Sequence, residues 1–250
     1  ALNQKVLPRV VLLELERTAR AVSAHTSTSI EGNPLPLTEV KRIIKSHPKH
    51  VRDSEKEVLN YNTVLEELDV LLKKKKTQLT LPLILRIQKT VLHTLASPLW
   101  CGVLRREAVF VNDPRTRKTV YWPPDHGDAA TLLKDLLLFT AKNEEKIDPL
   151  ILAGLFHKQF VIIHPFMDGN GRTCRLSTKV LLAQMGVNTF NLFSFERYYN
   201  QNVSTYFDKV GVLGNYYDIW GAIDYTEWLE YFTDGIVDEL FRVQKEIERV

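Results

Sequence analysis

The stretch that most restricts this chain's fold lies two thirds of the way along it. Phe160-Val161-Ile162-Ile163 is apolar on every side, and a helix of that kind has to be buried in the centre of a fold. It ends at His164-Pro165 and gives way to Phe166-Met167-Asp168-Gly169-Asn170-Gly171-Arg172-Thr173-Cys174-Arg175, after which Leu176, Val180, Leu181 and Met185 recur at helical spacing up to Gly186. The segment therefore reads as a tight turn between two packed helices. A helix starting near Gly171 would aim free backbone N–H groups at the turn, which is an anion site. Two guanidinium forks just inside that helix suit a polyphosphate better than a single carboxylate. Each residue alone has an ordinary reading: a loop glycine, a core histidine, a solvated arginine face. A plain turn, however, does not need a base, a carboxylate, an amide and two arginines converging on one helix N-terminus.

The rest of the chain is helical in pattern. Val6, Val10, Leu13, Leu15 and Val22 predict an amphipathic helix from Lys5 to about Ser23. The hydroxyl-rich Ala24–Asn33 stretch then reads as a helix boundary. Thr38 is expected to cap a helix over Val40–Lys45 that His47-Pro48 ends. Asp53–Leu72 follows, then a solvated Lys73–Lys76 run, and then a helix capped by Thr80 that carries Leu83, Ile84, Ile87, Val91 and Leu95. Val109-Phe110-Val111 and Thr119-Val120-Tyr121-Trp122 flank the turn Asn112–Thr116 and give the one β-hairpin signal. Later helices are expected after Asp128, from Asp148-Pro149 to Ile163, from Tyr198 to Val210, and from Asp224-x-x-Glu227 to the end.

Composition excludes more than it identifies. With 250 residues, 44% hydrophobic and 25% charged, the chain can bury a substantial core. A net charge of +3 requires neither nucleic acid nor an anionic membrane as partner. No uninterrupted apolar run could span a bilayer and no signal-peptide pattern opens the chain, so a cytoplasmic location is the expectation. Cys101 and Cys174, the only cysteines, read as reduced packing residues.

Residues 164–175 match H-P-F-x-D/E-G-N-G-R-x-x-R position for position and so resemble the signature loop of Fic-domain proteins. Ser27 and Glu31 fit S/T-x-x-x-E-G/N, which resembles the inhibitory motif found N-terminal to the core in many of them. The resemblance implies an all-α Fic-type bundle with one β-hairpin flap, made of an inhibitory segment over residues 1–37 and a core over 38–250. It implies transfer of AMP from ATP to a hydroxyl of a protein target, the protein itself included, with Mg²⁺ as cofactor. His164 would be the base and Asp168 the metal ligand. Gly169, Asn170, Gly171, Arg172 and Arg175 would hold the phosphates, with Arg175 on the γ-phosphate. Tyr206 matches a position near the adenine. Gly171 stands where Doc-like kinases carry lysine, which favours AMP transfer over phosphoryl transfer. Val109, Val111, Val120 and Tyr121 would form the flap edge that docks an extended target. Two other readings stand beside this one: a hydrolase that removes AMP at the same site, and a nucleotide-sensing or DNA-binding regulator that uses the core as a scaffold. A homodimer is compatible with all three. The chain begins without Met and ends inside a helical pattern, so a further C-terminal module, often a winged helix in such proteins, is expected; only through it would nucleic acid be bound.

Overall fold

The computed structural model describes residues 8–72, 77–113, 116–187 and 194–249. It is a helical bundle with a small three-stranded sheet at one side. The helices run α1 (Arg9–Ile30), α2 (Leu37–Ser46), α3 (Asp53–Leu72), α4 (Leu81–Val91), α5 (His126–Asn143), α6 (Pro149–Ile163), α7 (Asn170–Gln184), α8 (Glu196–Gln201), α9 (Val203–Val210), α10 (Tyr216–Ile219) and α11 (Thr226–Glu248). Among the described residues no helix is long and apolar enough to cross a membrane.

α6 is central, as its all-round apolarity requires: Leu152, Ala153, Phe156, Phe160, Ile162 and Ile163 are all buried, and α5, α7 and α11 pack on it. α7 lies between two hydrophobic cores. Cys174, Leu181 and Leu182 belong to the one built on α5, α6 and α11, while Leu176 and Val180 belong to the one under α1–α4. Squeezed from both sides, α7 is buried without a break from Arg172 to Leu182, so its polar side chains have only the protein interior in which to find partners.

One such partner set fixes α1. Lys179 Nζ lies 3.0 Å from Glu196 Oε2, and both side chains are buried. Glu196 also accepts hydrogen bonds from Tyr61 Oη (2.9 Å) and Ser194 Oγ (2.7 Å), and Ser194 Oγ meets Thr26 Oγ1 of α1 at 3.3 Å. Removing one member of a buried ion pair leaves the other uncompensated. Glu196→Ala is therefore expected to lower stability by about 3–5 kcal/mol, read as a fall in the urea midpoint.

Several local expectations are corrected. α1 does not stop at Ser23 but runs on through the hydroxyl-rich stretch to Ile30, because Ala24, Thr26, Ser27, Thr28 and Ile30 are buried against the rest of the fold, with the Thr26 and Thr28 hydroxyls donating to the Val22 and Ala24 carbonyls (both 2.8 Å). Val10 and Leu13 are exposed, and Lys5 and Val6 lie outside the described residues, as does the Lys73–Lys76 run. α2 starts at Leu37, so Thr38 is inside it; α4 stops at Val91, short of Leu95; α5 starts at His126, with Asp128 in its first turn. The expected Tyr198–Val210 helix is two, because Asn202 leaves helical geometry and caps α9 by accepting from Thr205 N at 3.1 Å.

The hairpin forms, with β1 (Val111–Asn112) antiparallel to β2 (Thr119–Trp122). Val109 lies outside the strand, and Pro114 and Arg115 of the turn fall outside the described residues. A third strand, β3 (Gly214–Asn215), runs parallel to β2 and covers its Tyr121–Trp122 portion. Those two residues of β2 are thus not an open edge.

Candidate active site

The site is built where α6 ends and α7 begins. His164 closes α6 in the left-handed conformation (φ 50°, ψ 59°). This is uncommon for a residue with a side chain and turns the chain sharply. Phe166 then drops into the core, fully buried, and Asn170 staples the loop: its Oδ1 accepts from Phe166 N and its Nδ2 donates to Phe166 O, both at 2.9 Å. The Asn170 amide thus holds the loop's shape through one of its two N–H groups. Gly169 has φ +77° and precedes the first turn of α7, whose amides at 170–172 have no intrahelical acceptor.

His164 Nδ1 lies 3.3 Å from the Val161 carbonyl. A carbonyl only accepts, so Nδ1 carries the proton and Nε2 keeps its lone pair. Burial pushes the imidazole pKa down to about 4, and the nearby Arg105 charge acts in the same direction against Val161, Glu31 and Asp168. That lies below the ordinary histidine value of about 6.5. A neutral imidazole with a free Nε2 can accept a proton, as a weaker base than an ordinary histidine.

Both arginines are buried and paired, not a solvated face. Arg175 is fully buried: its Nε donates to Ser27 Oγ (2.7 Å), and its Nη2 donates to Ser27 O (2.9 Å) and Glu31 Oε1 (2.7 Å). Burial alone would raise the Glu31 pKa, but Arg175 and Arg172 outweigh it and hold the carboxyl below its usual range. The carboxylate lies directly over the first turn of α7, so that a Cβ at Gly171 would collide with Glu31 Oε1. Gly171 is thus the residue that lets an anion reach this helix end.

Arg172 pairs through Nη1 with Glu57 of α3 and approaches Asp168 Oδ1 at 3.4 Å, yet its buried Nε has no partner. Asp168 itself is half-exposed at the mouth of the site. Its Oδ1 also accepts from Gly169 N, which leaves Oδ2 turned to other use. No group of three or more His, Cys, Asp or Glu converges among the described residues. One free carboxylate oxygen beside an anion site fits Mg²⁺, which takes one or two protein carboxylates and completes its shell with phosphate and water.

The helix end thus brings together His164, Asp168, Gly169, Asn170, Gly171, Arg172 and Arg175 with Ser27 and Glu31. Tyr206 does not line an open pocket. It is buried behind Arg175, with its hydroxyl 3.5 Å from Nη1 and 3.1 Å from His157 Nε2, and its ring stacks on Tyr199. Tyr121, expected at a docking edge, is also buried, and its hydroxyl donates to Ile162 O at 2.9 Å. Val111 and Val120 stay partly exposed on the hairpin. Glu57 and Asn33 were not foreseen as site residues. Asn33 Nδ2 donates to Glu57 Oε2 (2.7 Å), tying the turn after Glu31 to the partner of Arg172. Glu57 is one of several acidic residues on a long helix, and nothing in its spacing sets it apart.

Known proteins share the family profile and the fold. The Fic/DOC family profile matches residues 78–182. Over 182 residues the chain is 30% identical to the protein adenylyltransferase Fic of Aedes aegypti, covering 71% of this chain and 35% of that protein. Over 163 residues it is 33% identical to the protein of the same name from Nematostella vectensis, covering 64% and 36%. The chain spans about a third of the length of these curated relatives. In three dimensions it resembles a Fic family protein from Desulfovibrio desulfuricans G20, with TM-score 0.78, 21% identity, and coverage of 99% of this chain and 69% of that one. It also resembles Fic-1 from C. elegans, with TM-score 0.75, 22% identity, and coverage of 98% and 68%. With the signature loop at the α6–α7 junction, the helical bundle and the profile match in agreement, this chain is a Fic-domain protein of the Fic/DOC family.

Proposed function

We propose that this protein is a protein adenylyltransferase that moves AMP from ATP to a side-chain hydroxyl of a protein target, and that Glu31 holds it in check. The observation that carries the reading is the Glu31 carboxylate. An anion already rests on the N-terminus of α7, ion-paired to Arg175 at 2.7 Å, where a terminal phosphate would be bound. The unpartnered buried Nε of Arg172 beside it supports a further anionic ligand. The relatives named protein adenylyltransferase support the same chemistry at the level of the family.

In the proposed reaction the target's hydroxyl oxygen bonds to the α-phosphorus of ATP. The bond from that phosphorus to the bridging oxygen breaks, and pyrophosphate leaves. The hydroxyl proton passes to Nε2 of His164, positioned base catalysis being typically worth about 10² to 10⁴ in rate. Arg172 and the α7 amides hold the inner phosphates, and Arg175, once free of Glu31, holds the γ-phosphate. Asp168 would hold Mg²⁺, which screens the charge building on the leaving pyrophosphate. The partly exposed hairpin residues Val111 and Val120 suit a docked extended segment of the target.

Asp168→Ala is expected to abolish the Mg²⁺ dependence of ATP binding measured by calorimetry. Dependence that survives the substitution would place the metal elsewhere. The reading as a whole is tested by incubating Glu31→Gly protein with labelled ATP and a cell lysate: label should appear on protein. Tight ATP binding with no labelled protein would instead favour a scaffold that senses nucleotide.

A further inference from the structure

Arg105 is a buried cation whose side chain is given over to backbone carbonyls. Nε donates to His164 O at 2.8 Å, Nη2 to Pro124 O and, at 3.5 Å, to Ile163 O, and Nη1 to Glu107 O at 3.2 Å. Its own backbone N–H donates to Pro165 O at 3.0 Å. Three successive carbonyls at the end of α6, which the helix cannot satisfy itself, are thus met by one residue. The remaining two partners flank the hairpin, Glu107 ahead of β1 and Pro124 after β2.

A cation that merely capped α6 would take the carbonyls of that helix and reach no further. Arg105 instead grips both feet of the hairpin and the backbone of His164 with one rigid, planar group. His164 is also the residue held in left-handed backbone geometry, which persists only where its surroundings impose it. We infer that Arg105 is a positioning residue that locks the hairpin to the His164 backbone, so that a target seated on the hairpin and the imidazole that deprotonates it are held in one register. Lysine, with a single nitrogen, cannot reproduce this span.

The inference rests on His164 serving as the base and on the hairpin as the docking element, and its test separates the two levels. The comparison is between full-length Glu31→Gly protein and the same protein carrying Arg105→Lys or Arg105→Ala. Four readouts are used: labelling from α-labelled ATP at saturation, ATP affinity by calorimetry, hydrogen exchange of the hairpin amides, and the NMR signals of the His164 imidazole. Labelling should fall by about tenfold to 10²-fold, the cost of a misplacement near 1 Å, while ATP affinity stays within about twofold. Hairpin exchange should quicken and the imidazole signals move together, and millimolar guanidinium should partly restore both in the Arg105→Ala form. Hairpin exchange that quickens while the imidazole signals stay fixed would overturn the inference, as would a parallel loss of ATP affinity or loss of folding in both variants. If the coupled shifts appear but the Glu31→Gly parent labels nothing, the coupling stands and the transferase reading fails.

Discussion

Replacing Glu31 by glycine is expected to raise AMP transfer on the order of 10²-fold, autolabelling included. The expectation follows from the competition at Arg175, whose Nη2 is taken by the carboxylate at 2.7 Å and whose other nitrogens face Ser27 and Tyr206. ATP entering the intact protein must leave its terminal phosphate without that guanidinium. Its α-phosphorus then sits out of line, and misplacement near 1 Å costs about 10²-fold in rate. ADP lacks the γ-phosphate and should bind both forms almost equally. Adding Arg175→Ala to Glu31→Gly should erase most of the gain, since the group set free is then removed. If Glu31→Gly left labelling unchanged beside a competent target, the ion pair would be a structural contact and nothing more.

His164→Ala is expected to abolish transfer while ATP affinity, measured by calorimetry, stays within a few-fold, because in the proposed reaction the imidazole serves the attacking hydroxyl and α7 holds the phosphates. Equal losses of rate and affinity would refute the assignment. The pH profile gives an independent check. With the imidazole pKa lowered to about 4, the base stays deprotonated on acidification through pH 6.5, where an unperturbed histidine is half protonated. Transfer should hold its plateau there and fall only as the pH nears about 4. The same shift makes the unfolded chain bind a proton that the folded one refuses between those two values, so stability should decline as pH drops through that window. His157, pushed by burial and by Arg175 to about 3, adds to the decline.

Much of the site was legible because its chemistry is local. Residues 164–175 are contiguous, and the glycine, proline and apolar positions around them dictate a turn between two packed helices. Ser27 and Glu31 were recognisable as a motif. What they touch, 144 residues on in the case of Glu31 and Arg175, is a tertiary matter. Burial was harder to read. Arg172, Thr173, Arg175, Ser177, Thr178 and Lys179 give α7 the composition of a surface helix, and only its place between two cores puts them inside. Tyr206, expected near the adenine, and Tyr121, expected on the docking edge, are buried for a related reason: an aromatic ring with one polar atom satisfies a core as readily as a pocket, and here each hydroxyl found a partner within the fold. The run of α1 through its hydroxyl-rich end could not be foreseen from propensity, since tertiary burial overrides it. β3 went unseen because a two-residue strand carries no periodic signal.

The way α1 is embedded has a consequence for how this protein could ever be switched on. Ala21 and Ala24 belong to a hydrophobic core, Ile30 to the other, and Thr26 touches the buried carboxylate network through Ser194. The helix that presents Glu31 is thus masonry rather than a bolt. A protease that clipped it away, or a partner that peeled it off whole, would open both cores and yield a damaged protein instead of a liberated one. If Glu31 is the inhibitory group proposed above, its release would have to happen at smaller scale, in the rotamers of Glu31 and the turn through Asn33, and would be reversible and rapid.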